Sequence, residues 1–131
     1  MENLFDFFRN EKLKIGLASG SPIRIIELVL EKLGIWNNFE VIYSAEAEEF
    51  GKPHPAVFLS VAKQLGVVGR DCMVIEDSFY GLIAAKSARM KAIAYLPNGS
   101  YNDTRFDFAD LKLRSFSDFN STKYQYLQNI M

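Results

Sequence analysis

The sequence predicts an α/β fold, in which helices cover a parallel sheet. Short apolar runs alternate with longer segments whose apolar residues recur at helical spacing, a pattern typical of strands joined by helical crossovers. One run, at residues 72–75, is apolar throughout, as suits a strand buried on both faces. With 131 residues, of which 49% are apolar, the chain is long enough to form one core. We therefore expect a single domain over residues 1–131.

Four apolar runs and one weaker run predict the strands. In chain order they lie at residues 13–18, 39–45, 72–75, 91–96 and, more weakly, 111–115. Because helical patterns separate the first four runs, we expect those strands to be parallel and to be joined by right-handed crossovers.

Helical patterns with recognisable start and stop residues fill the intervals between these runs. The first helix is expected to begin at Ser21-Pro22, with the serine as N-cap, and to end at Gly34. The second is expected to begin at Pro55 and to end at Gly66. Further helices are expected at residues 1–10, at residues 79–88 and at the C-terminus.

Composition and charge exclude several classes of function. The net charge is −1 and no basic block occurs, so the sequence offers no electrostatic basis for binding nucleic acid. It contains neither a run of 18 apolar residues nor a signal-peptide pattern, which argues against a membrane partner. The single cysteine, Cys72, excludes an intrachain disulfide and favours a reducing compartment, so we expect a cytoplasmic location.

Polar and charged residues follow the first three predicted strands. Ser19 and Gly20 follow the first strand, Lys52 follows the second, and Glu76 and Asp77 follow the third. Because the carboxyl ends of parallel strands form one edge of a sheet, we expect these residues to converge at that edge.

This set of residues fits metal-assisted phosphate chemistry. The hydroxyl of Ser19 and the backbone N–H groups around Gly20 can donate to phosphate oxygens, and a helix N-terminus behind them adds a favourable dipole. Lys52 can neutralise phosphate charge. The adjacent carboxylates Glu76 and Asp77 repel each other unless a cation is near, and they are the hard oxygen ligands that Mg²⁺ prefers.

Each residue also has a simpler structural interpretation. A serine, or the pair Glu76 and Asp77, can cap a following helix, and Lys52 can be a solvated loop residue. Two other phosphate motifs, G-x-G-x-x-G and G-x-x-x-x-G-K-[ST], are absent from the sequence. Further polar or reactive residues are expected to be structural or solvated: His54, Cys72 and the acidic residues within 46–49.

Three segments together resemble the motifs of the haloacid dehalogenase (HAD) superfamily. KIGLASGSP at residues 14–22 resembles its second motif, GKPHPAVF at 51–58 its third, and VIEDSFYGLIAAKSARM at 74–90 its fourth. Their order and spacing are similar to those of the beta-phosphoglucomutase-like branch. Within that branch, SARMKAIA at residues 87–94 and NDTRFDFADLKL at 102–113 are similar to bacterial hexitol phosphatases, also described as 2-deoxyglucose-6-phosphate phosphatases.

The resemblance implies a three-layer, Rossmann-like fold and a magnesium-dependent phosphatase that hydrolyses a sugar-phosphate monoester. By their positions in the motifs, Ser19, Gly20 and Lys52 would bind the substrate phosphate, with Lys52 as a catalytic residue. Glu76 and Asp77 would bind Mg²⁺. In this family an aspartate attacks the phosphorus, and water hydrolyses the resulting aspartyl-phosphate. The phosphoryl transfer of a mutase is the alternative reaction.

The sequence departs from the family pattern at the first motif. Family members carry D-x-D-G-[TS], whose first aspartate is the nucleophile and whose second is the general acid/base, and a helical cap usually follows. No D-x-D occurs among these 131 residues. The chain thus resembles the C-terminal part of such an enzyme, without the nucleophile strand and the cap, and we expect it to be inactive alone. It could be a truncated product, a fragment, one half of a split enzyme, or a non-enzymatic module that binds phosphate or a partner.

The absent strand is the middle of the family's sheet, between the strands that end at Ser19 and Glu76. Unpaired backbone groups along two strand edges would cost roughly 1–3 kcal/mol each if they were buried. We therefore expect the gap to close, by direct pairing of the flanking strands, by insertion of residues 1–10, or by a strand from a companion chain. An exposed strand edge also predicts self-association.

Overall fold

The elements of the predicted α/β fold are present in the structure, a computed structural model that describes residues 2–130. The helices are α1 (Glu2–Asn10), α2 (Ile23–Leu33), α3 (Ala56–Leu65), α4 (Phe79–Ser87) and α5 (Ser121–Asn129). The strands are β1 (Gly16–Ser19), β2 (Val41–Ser44), β3 (Met73–Glu76), β4 (Lys91–Tyr95) and β5 (Leu111–Leu113). Their alternation confirms the fold class. None of these helices has the length and the apolar character needed to cross a membrane.

The strands form two separate parallel sheets. In the first sheet β1 pairs with β2, with Gly16 opposite Val41 and Ser19 opposite Ser44. In the second sheet the order is β3–β4–β5, so that β4 lies in the middle. All pairings are parallel, and the carboxyl ends of the strands in each sheet therefore lie at one edge.

Two apolar clusters separate the structure into layers. The first cluster joins α3 and α4 to one face of the strands, and its buried members include Val57, Phe58, Leu82, Ala92 and Ala94. The second cluster joins α1 and α5 to the opposite face, and its buried members include Leu4, Phe8, Ile93, Leu113 and Leu127. β4 contributes to both clusters because successive side chains of a strand point to opposite faces.

The two sheets pack against the same two clusters. Ala18 of the first sheet and Val74 of the second both contact the first cluster. Ile15, just before β1, and Ile75 of β3 both contact the second. Both sheets therefore belong to one three-layer arrangement, although they are not hydrogen-bonded to each other in the part of the chain that the structure describes.

Two of the three expected routes of closure are wrong, because among residues 2–130 the gap closes neither by direct pairing of the flanking strands nor by insertion of the N-terminal segment. Among residues 2–130, β1 pairs only with β2 and β3 only with β4, so each keeps one unpaired edge. The N-terminal segment forms α1 and does not enter a sheet. All residues of β1 and β3 are partly exposed, so water can satisfy backbone groups whose burial would be costly. Solvent access therefore lowers the cost of leaving these two edges unpaired.

Two local predictions are also corrected. The N-cap of α2 is Pro22 rather than Ser21, and no side chain caps this helix. β1 begins at Gly16 rather than at residue 13, because the N–H of Leu13 still bonds back to the carbonyl of Phe8 and so belongs to the end of α1.

Candidate active site

Two of the predicted site residues are in contact at the carboxyl edge of the sheets. Lys52 lies in the loop between β2 and α3, and its Nζ is 2.8 Å from Oε2 of Glu76 at the end of β3. Both side chains are shielded, with exposed fractions of 21% and 11%. The ion pair therefore connects a loop of the first sheet to the second sheet.

The side chain of Lys52 has a second fixed contact. Its Nζ lies 5.2 Å from the ring centroid of Phe58, a buried residue of α3 in the first cluster. A cation at this distance from an aromatic face is attracted by the ring quadrupole. The ammonium group is thus held between a carboxylate and an aromatic ring.

The carboxylate of Glu76 is also held by the start of α4. Its Oε1 accepts hydrogen bonds from the N–H of Asp77 and from Oγ of Ser78, both at 3.2 Å. A Cβ on Gly81 would lie 2.1 Å from Cδ of Glu76. Only glycine at this position leaves room for the carboxylate against the first turn of α4, and the carboxylate therefore has a fixed orientation.

Asp77 differs from its neighbour because its side chain is exposed. Its backbone N–H is bonded, but no hydrogen bond or ion pair among residues 2–130 involves its carboxylate. The N-cap of α4 is Ser78, whose Oγ accepts from the N–H of Gly81 at 3.0 Å. The interpretation of Glu76 and Asp77 as helix caps is therefore wrong, and the Asp77 carboxylate is accessible to a cation.

Ser19 and Gly20 lie at the end of β1, in a turn that two serine hydroxyls stabilise. Oγ of Ser19 accepts from the N–H of Ser21 at 3.2 Å, and Oγ of Ser44 donates to the carbonyl of Ser21 at 2.6 Å. Gly20 is exposed, with open space where a Cβ would be. No hydrogen bond among the described residues joins this turn to Lys52, so the structure does not bring all the predicted residues into direct contact.

His54, on the same loop as Lys52, has structural contacts. Its ring stacks on that of Phe50 at a centroid distance of 5.1 Å, and its Nδ1 accepts from the N–H of Ala56 at 3.1 Å. The first N–H groups of a helix have no partner within the helix, so this bond satisfies one of them at the start of α3. These contacts agree with the structural role expected of His54.

A hydrogen-bonded network that the sequence patterns do not predict lies beside the site. The hydroxyl of Tyr43 donates to Oε1 of Glu48 at 2.6 Å, and Oγ of Ser60 donates to the same oxygen. The bonds from Ser60 and then Tyr43 hold the pKa of Glu48 below its usual value, and the bond to Glu48 raises the pKa of Tyr43. Glu48 is therefore not the solvated residue expected, since it connects β2, α3 and the start of the Lys52 loop.

The two carboxylates at the end of β3 match the donor type that Mg²⁺ prefers. This ion usually keeps several waters and binds the protein through one or two carboxylates. Of the two groups present, Asp77 is exposed and Glu76 is engaged by Lys52. Residues 2–130 contain no group of three or more His, Cys, Asp or Glu side chains that could hold a metal. The donor set therefore fits Mg²⁺ as a partial shell, to be completed by water or a ligand.

Similarity to known proteins establishes the family. Residues 1–89 match the haloacid dehalogenase-like hydrolases. The chain belongs to this family. Over 113 residues it is 40% identical to hexitol phosphatase B of Escherichia coli (strain K12), a match that covers 86% of this chain and 51% of the relative.

A second relative and a solved structure support the beta-phosphoglucomutase-like branch. The chain is 42% identical over 85 residues to beta-phosphoglucomutase of Bacillus subtilis (strain 168), covering 65% of this chain and 37% of the relative. The crystal structure of beta-phosphoglucomutase from Clostridium difficile aligns with a TM-score of 0.84 and 32% identity, covering 98% of this chain and 54% of that one. The predicted family is confirmed, and the chain spans about half the length of the hexitol phosphatase.

Proposed function

We propose that the chain is the phosphate-binding part of a magnesium-dependent HAD phosphatase that hydrolyses a small sugar-phosphate monoester. The Lys52–Glu76 ion pair at the carboxyl edge of the sheets is the observation that supports this most. A shielded ammonium group at an accessible edge suits a phosphate group with its negative charges. The names of the relatives, a hexitol phosphatase and a beta-phosphoglucomutase, support sugar phosphates as the substrate class.

The residues of the site would act mainly through charge. Lys52 would neutralise the negative charge that develops on the phosphoryl group in the transition state. The substrate phosphate would compete with Glu76 for the ammonium group, and Glu76 therefore orients Lys52 before the substrate binds. The hydroxyl of Ser19 and the N–H of Gly20 would donate to the phosphoryl oxygens.

Asp77 and Glu76 would hold Mg²⁺, Asp77 through its exposed carboxylate. Neutralisation of the charge on the phosphoryl oxygens is what the ion supplies when it is bound. Because Glu76 is already bonded to Lys52, Asp77 is the carboxylate that we expect metal affinity to depend on more strongly.

The nucleophile would have to come from outside this sequence, which contains no D-x-D. Among residues 2–130, β1 and β3 each have one unpaired edge, and both lie next to the first apolar cluster, while Ile15 just before β1 and Ile75 of β3 contact the second. We place the nucleophile strand between them, parallel to both, with its carboxyl end beside Ser19 and Glu76. The remainder of a longer protein or a companion chain would supply it. In this proposal residues 1–131 are part of one core domain, and the free Cys72 favours the cytoplasm.

A fusion protein tests this proposal. The part of E. coli hexitol phosphatase B that the chain does not match is joined to it, and phosphate release from a hexitol phosphate is measured with Mg²⁺ and with EDTA. We expect Mg²⁺-dependent release from the fusion. We expect none from the chain alone, because loss of a nucleophile typically removes several orders of magnitude in rate.

Two variants on one loop make the test specific. In the fusion, Lys52→Ala should lower turnover by at least about tenfold, because it removes a charge that faces the phosphoryl group. His54→Ala is the matched control and should change turnover little, since His54 has structural contacts. Near-normal turnover of Lys52→Ala would show that Lys52 does not have the assigned role.

The alternatives correspond to other outcomes of the same assay. A folded fusion that binds inorganic phosphate but releases none from sugar phosphates would favour a non-enzymatic binding module. Movement of the phosphoryl group between positions of a sugar would favour a mutase. Enzymatic phosphate release by the chain alone, abolished by Asp77→Asn, would contradict the assignment of the nucleophile to an absent strand.

A further inference from the structure

A groove lies at the amino edge of the second sheet, at the opposite end of its strands from the proposed active site. Two adjoining depressions, of about 270 and 460 Å³, share Arg70, Asp71 and Lys91 in their walls. Arg70 and Asp71 belong to a 3₁₀ turn just before β3, and Lys91 is the first residue of β4. We refer to these two depressions together as the basic groove.

Positive charge predominates in the basic groove. The larger depression is lined by four cationic side chains and one carboxylate: Arg70, Lys86, Arg89, Lys91 and Asp71. Among residues 2–130, Lys86 is paired with Asp110 at 2.8 Å, and the other three cations form no ion pair. Since the net charge of the whole chain is −1, this concentration of cations is local. Like charges around a concave surface repel one another unless an anion lies between them.

The backbone brings two of these arginines to closely packed turns. Arg89 has a φ of 62°, in the left-handed region that favours glycine, just after the end of α4. The turn that carries Arg70 packs against this point, since a Cβ on Gly69 would lie 2.7 Å from the carbonyl oxygen of Ala88. These contacts fix the backbone positions from which Arg70 and Arg89 extend.

The smaller depression adds an apolar wall. Its accessible apolar surface comes from the half-buried side chains of Leu13, Met73 and Tyr124, whereas Leu127 is only 1% exposed. The ring of Tyr124 is held by edge-on packing against Phe7, with the centroids 5.7 Å apart. The apolar wall with Tyr124 lies next to the cationic side chains of the larger depression. Such a surface suits a ligand that has a ring at one end and phosphate at the other.

We propose that the basic groove binds a nucleoside diphosphate, with its phosphates at Arg70 and Arg89 and its base towards Tyr124. Guanidinium groups bind phosphate oxygens through pairs of N–H donors, which gives both strength and orientation. With Asp71 in the same wall, the three cations without an ion pair leave a net charge of +2, which offsets most of the negative charge of a diphosphate group. Because the groove lies at the opposite end of the strands, its occupancy depends neither on the absent nucleophile nor on Lys52.

The helix dipole offers a simpler reason for some of these charges. Lys86 and Arg89 lie at the C-terminal end of α4, where the partial negative charge of the helix favours cations. This effect needs no ligand and predicts no saturable binding. An experiment can therefore separate the two explanations.

The test is the binding of ADP to the full chain, measured by titration calorimetry and by NMR. Pyrophosphate, which lacks the ring, and adenosine, which lacks the charge, are titrated in parallel. We expect a Kd for ADP below about 1 mM at low salt, with both partial ligands at least about fivefold weaker. Amide shifts should concentrate at residues 70–72 and 89–91 and not at Ser19 or Lys52.

Two variants distinguish a binding site from a helix end. Arg70→Ala should weaken ADP binding by at least about tenfold. Arg89→Gly should weaken it similarly, yet leave the midpoint of thermal unfolding unchanged or higher, since glycine relieves the left-handed conformation. Arg24→Ala removes an exposed arginine of α2 and should leave binding unchanged.

Several results would overturn the proposal. Absence of saturable ADP binding would do so, and so would equal weakening by Arg24→Ala, which would indicate attraction by overall charge alone. Pyrophosphate binding as tight as that of ADP would exclude a nucleoside as the ligand. Lower stability of Arg89→Gly together with unchanged binding would assign Arg89 to the end of α4 only.

Discussion

The two sheets of this molecule differ in how far they are buried. In β4, the middle strand of the second sheet, Ala92, Ile93 and Ala94 are completely inaccessible to solvent. In the first sheet only Ser44 is buried, and every residue of β1 is partly exposed. The difference follows from pairing, because β4 has a strand on each side whereas β1 has a strand on one side only.

Helices α4 and α2 differ in how many of their residues are buried. α4 buries four residues, and α2 buries only Ile26 and Leu30. The large apolar residues of α2 that remain exposed are Ile23, Ile25, Leu28, Val29 and Leu33. Both helices carry apolar residues at helical spacing, but α4 buries most of them whereas α2 leaves most of them exposed. We therefore expect the stability of the chain to reside mainly in the second sheet.

Truncation of one leucine in each half should give the largest contrast. Leu82 of α4 is completely buried in the first cluster, and Leu28 of α2 is 61% exposed. Leu82→Ala should lower the free energy of unfolding by about 2–5 kcal/mol. Leu28→Ala should change it by less than about 0.5 kcal/mol. Urea unfolding followed by circular dichroism measures both, and equal losses would show that α2 is covered in solution.

Two carboxylates, one beside each sheet, accept a hydrogen bond from a backbone N–H and differ in their exposure to solvent. Asp110 accepts from the N–H of Ala92 at 2.7 Å in the second sheet, and Glu40 accepts from the N–H of Ile15 at 2.6 Å just before β1. The Asp110 side chain is only 18% exposed, whereas Glu40 is exposed. Asp110→Ala should cost about 1–3 kcal/mol, and Glu40→Ala less than about 0.5 kcal/mol, because water replaces the lost acceptor. The same urea titration checks this order, and a reversed order would contradict it.

The unpaired strand edges predict that the chain associates with itself. β1 and β3 both present unpaired backbone groups, and such edges are templates for pairing with another chain. Sedimentation velocity at increasing concentration should show dimers or larger species. Leu28→Lys, on the exposed face of α2, should weaken association several-fold if that face contributes. A cooperatively unfolding monomer at every concentration would contradict association.

The smallest expected effect is on the pH dependence of stability. The pKa of Glu48 in the folded chain is lower than its usual value of 4.5, owing to the bonds from Ser60 and Tyr43. Such a carboxyl stabilises the fold above its unfolded pKa, and the contribution is lost as the pH falls through the folded pKa. Glu48→Gln should therefore lower the Tm slightly at pH 7, with a difference from the wild type that shrinks below about pH 4.5.

A neighbouring residue provides the control for this measurement. Glu46 is exposed, and its side chain forms no hydrogen bond among residues 2–130. Glu46→Gln should leave the Tm unchanged between pH 3 and pH 7. A constant Tm difference for Glu48→Gln over the same range would show that its hydrogen bonds do not depend on charge.

Local sequence patterns are sufficient to predict the order of the elements and the edge at which Lys52 and Glu76 meet. Each apolar run forms a strand, because an apolar run between two helical patterns is best buried in a sheet. Lys52 and Glu76 consequently reach the same edge, where they form an ion pair. The catalytic and binding roles of five residues stay predictions: Ser19, Gly20, Lys52, Glu76 and Asp77.

Features that depend on distant partners are not predictable in this way. Ser21 has the residue type and the position of an N-cap, but its carbonyl is bonded to Ser44, 23 residues away. Glu48 lies in an acidic stretch, but its partner Ser60 is 12 residues away. The open gap likewise depends on solvent access to β1 and β3, which no local pattern encodes.

The second apolar cluster has a consequence for synthesis on the ribosome. Leu4 and Phe8 of α1 pack in this cluster with Leu127 of α5. Full burial of the first helix of the structure therefore depends on the last helix. At roughly 5–20 residues per second, α1 emerges on the order of ten seconds before α5 is complete. During that interval Phe5 of α1 can already pack on Phe39, but Leu4 and Phe8 lack their contact with Leu127. The nascent chain therefore keeps part of the apolar face of α1 uncovered until α5 has been translated.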